Sequence, residues 1–148
     1  MKRRACKRLL TAAVLCAALT VPAKAAQRSV PVQIDGKPIA VSAYVERGVT
    51  YVPLRALLNT MGDWDIWWDK ATGRAAAASD DIHLWADPAA DTVTVDEKTV
   101  RGRVTVENGV TYVPLRLVGE ALGCQVEWDP YLRGATVTSP GAAYDAGE

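Results

Sequence analysis

Phenylalanine is missing altogether from this chain of 148 residues, histidine occurs once, and there are only three cysteines. Each scarcity removes a class of protein. A copper or zinc centre built on clustered imidazoles needs more than the lone His83. A disulfide framework needs paired cysteines, but Cys6 and Cys16 fall within the first 25 residues and Cys124 stands alone after them. Long apolar runs are missing too. LLTAAVLCAALTV, residues 9–21, falls short of the ~20 residues of a membrane span and has the length of a signal-peptide core. The basic MKRRACKR precedes it, and PAKAA follows with Ala23 and Ala25 at the small-residue positions of a cleavage site. This pattern predicts a secretory signal over residues 1–25, a secreted or cell-envelope location, and no stable membrane span after cleavage. A retained N-terminal anchor is the competing reading.

Surplus positive charge is lacking as well. The chain is formally neutral, but six of its 17 Lys and Arg precede residue 26 while all 17 acids follow it. The expected mature chain therefore carries a net charge of −6. Phosphate backbones are bound by clustered Lys and Arg, so a nucleic-acid partner is not expected.

What is present is a self-match. GVTYVPLR spans residues 48–55 and recurs at 109–116. At that offset of 61, residues 30–62 overlie 91–123 with 14 identities in 33 positions. Beyond Gly62 the offset drops to 60, so that Trp68-Asp69 overlies Trp128-Asp129; one residue has been added to the first copy's turn. Each copy reads alike. Alternating strands flank Asp35-Gly36 and its counterpart, then a second strand (near 38–44 and 99–106), a glycine turn, and VTYV. Pro53 and Pro114 lack an N–H, which suits the first turn of a helix. Helices are expected over 53–61 and 114–122, with Gly62 and Gly123 as left-handed caps. Leu54, Leu57, Leu58 and Met61 make one apolar stripe; Leu115, Val118, Ala121 and Leu122 make the other. Each helix is followed by a strand ending in Trp-Asp, a turn, and a further strand (74–79 and 135–139), with one more strand over 82–86. Units of about 60 residues bury too little surface to be comfortable alone, so the two repeats, about 30–86 and 91–139, are expected to share one core. Residues 140–148 read as a loose tail.

These residues resemble the copper amine oxidase N-terminal domain, also called the stalk domain. The resemblance rests on NGVTYVPLRLVGEALGCQVEWDPYLRGATVT (108–138) and on the first copy's RGVTYVPLRALLNTMG. It implies an α+β fold in which an antiparallel sheet wraps around short helices, over residues 26–139. It also implies a non-catalytic bacterial accessory module facing the cell wall. The oxidase chemistry belongs to a separate, larger domain.

The residues alone point the same way. No cofactor and no metal are expected. Tyr144-Asp145 lacks the asparagine that a quinone-forming tyrosine motif would place at Ala143. Cys124 has no histidine near it and reads as a small buried residue, and His83 as the polar face of an edge strand. The acidic group Asp63, Asp65 and Asp69 lacks the oxygen count of a calcium loop. Arg55 and Arg116 follow Pro-Leu at helix starts, where the dipole does not favour a cation; strand carbonyls or carboxylates, with Asp69 and Asp129 as candidates, are the expected partners, and ligand binding is the alternative. Trp68 and Trp128, equivalent in the self-match, read as core. Alternation puts Trp64, Ile66 and Trp68 on one face and Asp65, Trp67 and Asp69 on the other, so Trp67 is the candidate exposed indole. The candidate binding set is Trp67, Trp64, Asp65, Arg55 and Arg116. A cell-wall glycan or an extracellular protein is the expected partner of such an interaction module. A ligand-free spacer or homodimer, and a hydrolase or inhibitor with an acidic cleft, are the alternatives.

Overall fold

The computed structural model describes residues 28–39 and 43–141; the signal expected over 1–25 and most of the expected tail lie outside them. The chain runs β1 (Arg28–Val30), β2 (Val32–Ile34), β3 (Lys37–Pro38), β4 (Ala43–Glu46), β5 (Val49–Pro53), α1 (Leu54–Met61), β6 (Asp65–Asp69), β7 (Arg74–Ser79) and β8 (Ile82–Asp87). It continues with β9 (Thr92–Val95), β10 (Lys98–Arg101), β11 (Thr105–Glu107), β12 (Val110–Pro114), α2 (Leu115–Ala121), β13 (Gln125–Asp129) and β14 (Gly134–Thr138). The class is α+β, with short helices among mainly antiparallel strands.

The strands form three sheets rather than one, ordered β1-β4-β5-β12-β11, β10-β9-β8-β7-β6 and β13-β14-β2-β3. One pairing departs from the antiparallel expectation: β14 runs parallel to β2. Parallel neighbours need a long connection, and here the connection is the whole intervening fold. Asp35 fastens this junction. Its N–H donates to the Val137 carbonyl at 2.9 Å, and its carboxylate accepts from the Ser139 N–H at 2.8 Å and hydroxyl at 2.6 Å. Asp96, its sequence counterpart, exchanges the same kind of bonds with His83 at the start of β8.

The two octapeptides lie side by side. β5 and β12 pair antiparallel with Val52 opposite Val113, its own counterpart 61 residues on. Both valines are fully buried. Each hairpin leading into these strands turns on two residues with positive φ, Arg47-Gly48 (51° and 79°) and Asn108-Gly109 (51° and 77°). That geometry matches the right-handed twist of the strands it joins and favours glycine at the second position. The tyrosines of the octapeptides face away from the valines, and Tyr44 and Tyr51 stack with centroids 5.2 Å apart.

Pro53 and Pro114 keep extended backbone as N-caps, so the helices begin one residue later than the sequence suggests. α1 packs on β12 and β5, and α2 on β5 and β13. Leu54, Leu57, Leu58, Leu115 and Val118 enter a single apolar cluster with Val52, Val113, Val126 and Leu84. Only one of the two glycine caps is left-handed. Gly123 has φ 82°, and its N–H and that of Cys124 close back on Glu120 and Gly119 in a Schellman arrangement. Gly62 is extended at φ 164°. The residue added after it in the first copy lengthens the turn and removes the need for a tight reversal. The second strands also split where a single run was expected: 38–44 becomes β3 and β4, and 99–106 becomes β10 and β11.

Asp69 and Asp129 close the turns that follow the Trp-Asp strands. Asp69 accepts from the Thr72 hydroxyl (2.7 Å) and the Ala71 N–H (3.0 Å); Asp129 accepts from the N–H groups of Tyr131 and Leu132. The Thr72 hydroxyl, joined by backbone N–H groups, holds Asp69 below the ordinary carboxyl value of 3.8, and the Ala90 and Ala89 N–H groups do the same for Asp87. A depressed folded-state pKa contributes stability above the unfolded value and loses it as pH falls through the folded one. The urea midpoint is therefore expected to be flat from pH 7 to 5 and to fall below about pH 4; Asp69→Asn should flatten part of that acid slope, and an unchanged slope would remove the turn from the account.

Candidate functional site

Two grooves with corresponding linings flank the β5–β12 seam. The first is walled by Leu54 and Arg55 at the start of α1, Ile66, Trp67 and Trp68 of β6, and the β11–β12 hairpin at Val106 and Val110. The second is walled by Leu115 and Arg116 at the start of α2, Val126, Glu127 and Trp128 of β13, and the β4–β5 hairpin at Val49 and Thr50. In each, the helix and Trp-Asp strand come from one copy of the self-match and the hairpin from the other.

The expectation that Trp68 and Trp128 are core residues is not met. They are 45% and 51% exposed. Both share a strand face with residues in or against the core, Ile66 and Val126, two positions earlier, and both line the grooves. Identity between the two copies marked a shared surface feature rather than shared burial.

Arg55 donates to the Ile66 carbonyl at 3.2 Å, and Arg116 reaches Glu120 one helical turn on at 3.4 Å. The carbonyl partner fits the sequence reading. Glu120 likewise fits as the carboxylate one turn on from Arg116, whereas Asp69 and Asp129 are occupied by their own turns. Arg55 lines one groove, which Trp67 borders from β6 with its side chain turned to the opposite face from Trp68, and Arg116 stands in the other. Trp64 is partly buried against the core. Asp65 and Trp64 border a separate polar hollow with Asp63, Asn59 and Asp80, between the end of α1 and the β7–β8 turn.

Trp67 is 47% exposed, on the outer face of the sheet β10-β9-β8-β7-β6. Register pairs it with Ala76, which pairs with Trp85, which pairs with Thr94. Directly paired residues point to the same side, so these four make one row. Ala76 is only 1% exposed although it belongs to the outer face; the bulky indoles on either side of a methyl group account for that. His83, two residues before Trp85 and on the same face, stacks on it with centroids 5.9 Å apart and planes 14° apart. β8 lies between β7 and β9, so His83 is exposed on an interior strand and not on an edge.

Cys124 is buried; burial pushes its thiol up, the Asp35 carboxylate adds to this, and a bond with Ser139 pulls the other way. A raised thiol is a poor nucleophile at neutral pH. Among the described residues no three His, Cys, Asp or Glu side chains converge as a metal site. With one histidine in the chain, the residues present do not fit a copper centre.

Fold and surface together define a small α+β module with solvent-facing tryptophans. The chain belongs to the copper amine oxidase N-terminal domain family, whose model matches residues 33–137. That domain is a non-catalytic module, and no catalytic domain is seen within the 148 residues. No curated protein and no solved structure matches the chain.

Proposed function

We propose that this chain is an exported, non-catalytic interaction module that binds cell-envelope material, built from two structural repeats about a two-fold axis through the Val52–Val113 pair. The observation that carries the binding reading is the exposure of Trp67, Trp68 and Trp128 in a fold whose apolar cluster is complete without them. Three half-exposed indoles are a poor choice for a surface that touches only water. The signal-like leader and the family's non-catalytic character support the export and interaction parts of the reading.

The test is retention of the purified protein on washed bacterial sacculi, with Trp67→Ala alongside. Wild type is expected to be retained and the variant to elute early, with unchanged far-ultraviolet circular dichroism. Absence of retention for both proteins would end the envelope reading.

A further inference from the structure

The molecule contains its own comparison for the Trp67 face. The sheet β13-β14-β2-β3 is the counterpart of β6-β7 and its neighbours, and its equivalent row reads Glu127, Thr136, Gln33, Pro38. Where the first sheet has Trp67, the second has Glu127; Gln33 and Pro38 answer to Thr94 and Thr99 at the offset of 61, and β8 with Trp85 is an extra strand that the second sheet lacks. The fold therefore does not need an aromatic side chain at the Trp67 position. β7 contributes alanine at 75, 76, 77 and 78, so nothing bulky rises between the two indoles.

Trp67 and Trp85 sit two strands apart, which sets their Cα atoms about 9.5 Å from each other across the sheet. In an extended β-1,4-linked glycan, alternate sugars show the same face to one side, and their spacing is of this order. The face of such a pyranose is a patch of C–H groups, apolar and flat, with its hydroxyls directed outward at the rim. It suits an indole laid beneath it. Polar groups stand where those hydroxyls would fall. The Thr94 and Thr99 hydroxyls, 3.0 Å apart, continue the row, and exposed Asp65 flanks it. At the other end Arg74 pairs with Asp87 at 2.9 Å. With Asp87 paired to Arg74, the carboxylates left beside the row, Asp65 and Asp69, disfavour an anionic polymer, so the sugar should be neutral.

From this we infer that the outer face of the β10-β9-β8-β7-β6 sheet is a platform for a neutral β-1,4-linked glycan chain, lying across the strands with alternate sugars stacked on Trp67 and Trp85. The inference rests on the envelope-binding reading and specifies its ligand. His83, stacked on Trp85, holds that indole in place and is a positioning residue.

The experiment is titration of the protein with soluble β-1,4-linked N-acetylglucosamine oligomers of two, four and six units, followed by calorimetry and tryptophan fluorescence. Affinity is expected to rise at least tenfold from the dimer to the tetramer, because only the longer chain reaches both indoles. Trp85→Ala and Trp67→Ala should each lower tetramer affinity tenfold or more. Trp67→Tyr should recover most of it, and Trp128→Ala should leave it unchanged. Equal binding of wild type and Trp85→Ala, or no gain with length, would overturn the platform. Sacculus retention that depends on Trp67 but not on Trp85, without oligosaccharide binding, would also overturn it while leaving the envelope reading intact. Loss of the thermal transition in a tryptophan-to-alanine variant shifts the decision to Trp85→Tyr and Trp67→Tyr against the length series in wild type.

Discussion

Gly134→Ala is expected to lower the stability of the fold by about 3 kcal/mol or more, at the upper end of what overpacking produces. A Cβ at this position would lie 2.1 Å from the Pro31 carbonyl oxygen and 3.0 Å from its carbon. Both are main-chain atoms, so no side-chain rotation relieves the contact. The same oxygen accepts the Ala135 N–H at 3.0 Å. Moving Pro31 away to admit a methyl group would break the first rung between β2 and β14, and with it the alignment that lets Asp35 hold Ser139. A urea titration checks this through a lowered midpoint at unchanged slope. Gly102→Ala is the control. Its Cβ would meet the Leu117 Cδ1 at 2.4 Å and the Pro114 Cγ at 2.9 Å, both side-chain atoms and neither as close as the Pro31 oxygen, so the loss should be smaller. Equal losses in the two variants would show that the β2–β14 contact is softer than its geometry indicates.

Leu57→Ala is expected to cost about 2–5 kcal/mol, the range for emptying a fully enclosed leucine site. Leu57 has no exposed surface and belongs to the one apolar cluster. α1 has eight residues, too few to persist without packing, so the loss falls on the attachment of the helix to the sheet. Against a total of about 5–15 kcal/mol for a small domain, either substitution removes a large share of the folded population's margin. Val118, the sequence counterpart of Leu57, gives a sharper form of the experiment. If both helices feed one core, Leu57→Ala and Val118→Ala together should depart from the sum of their single effects, as coupled sites do. Strict additivity, or two separate unfolding transitions, would argue for two independent cores.

The features legible in the sequence were those set by local chemistry. Asp35-Gly36, Gly48 and Gly109 announce tight turns because their backbones need positive φ, and the proline junction marks where strand gives way to helix. The leucine stripe of α1 announces its buried face in the same way. What stayed hidden depends on register and on ends of elements. Whether Trp68 is covered is decided by what stands opposite it, and the far wall of its groove is the β11–β12 hairpin at Val106 and Val110, which no residue near Trp68 encodes. The parallel β2–β14 pair joins residues more than a hundred positions apart, and the β5–β12 pair joins residues about 61 apart. The likeness between the two copies was misleading at the tryptophans, because a repeated groove preserves residues as well as a repeated core does. Trp85 could have been set beside Trp67 from the sequence, by noticing that the alanine run of β7 offers no side chain large enough to cover either indole.

The direction of β14 has a mechanical consequence. β2 lies near the start of the described chain and β14 near its end, and the two run the same way. Tension drawn through the chain on either side of them pulls these neighbours in opposite senses along their length. Once β1 has yielded, the bonds between β2 and β14, with the Asp35–Ser139 fastening beyond them, take that load together in shear rather than parting one after another. Had β14 returned antiparallel, the same tension would have peeled the pair open from one end.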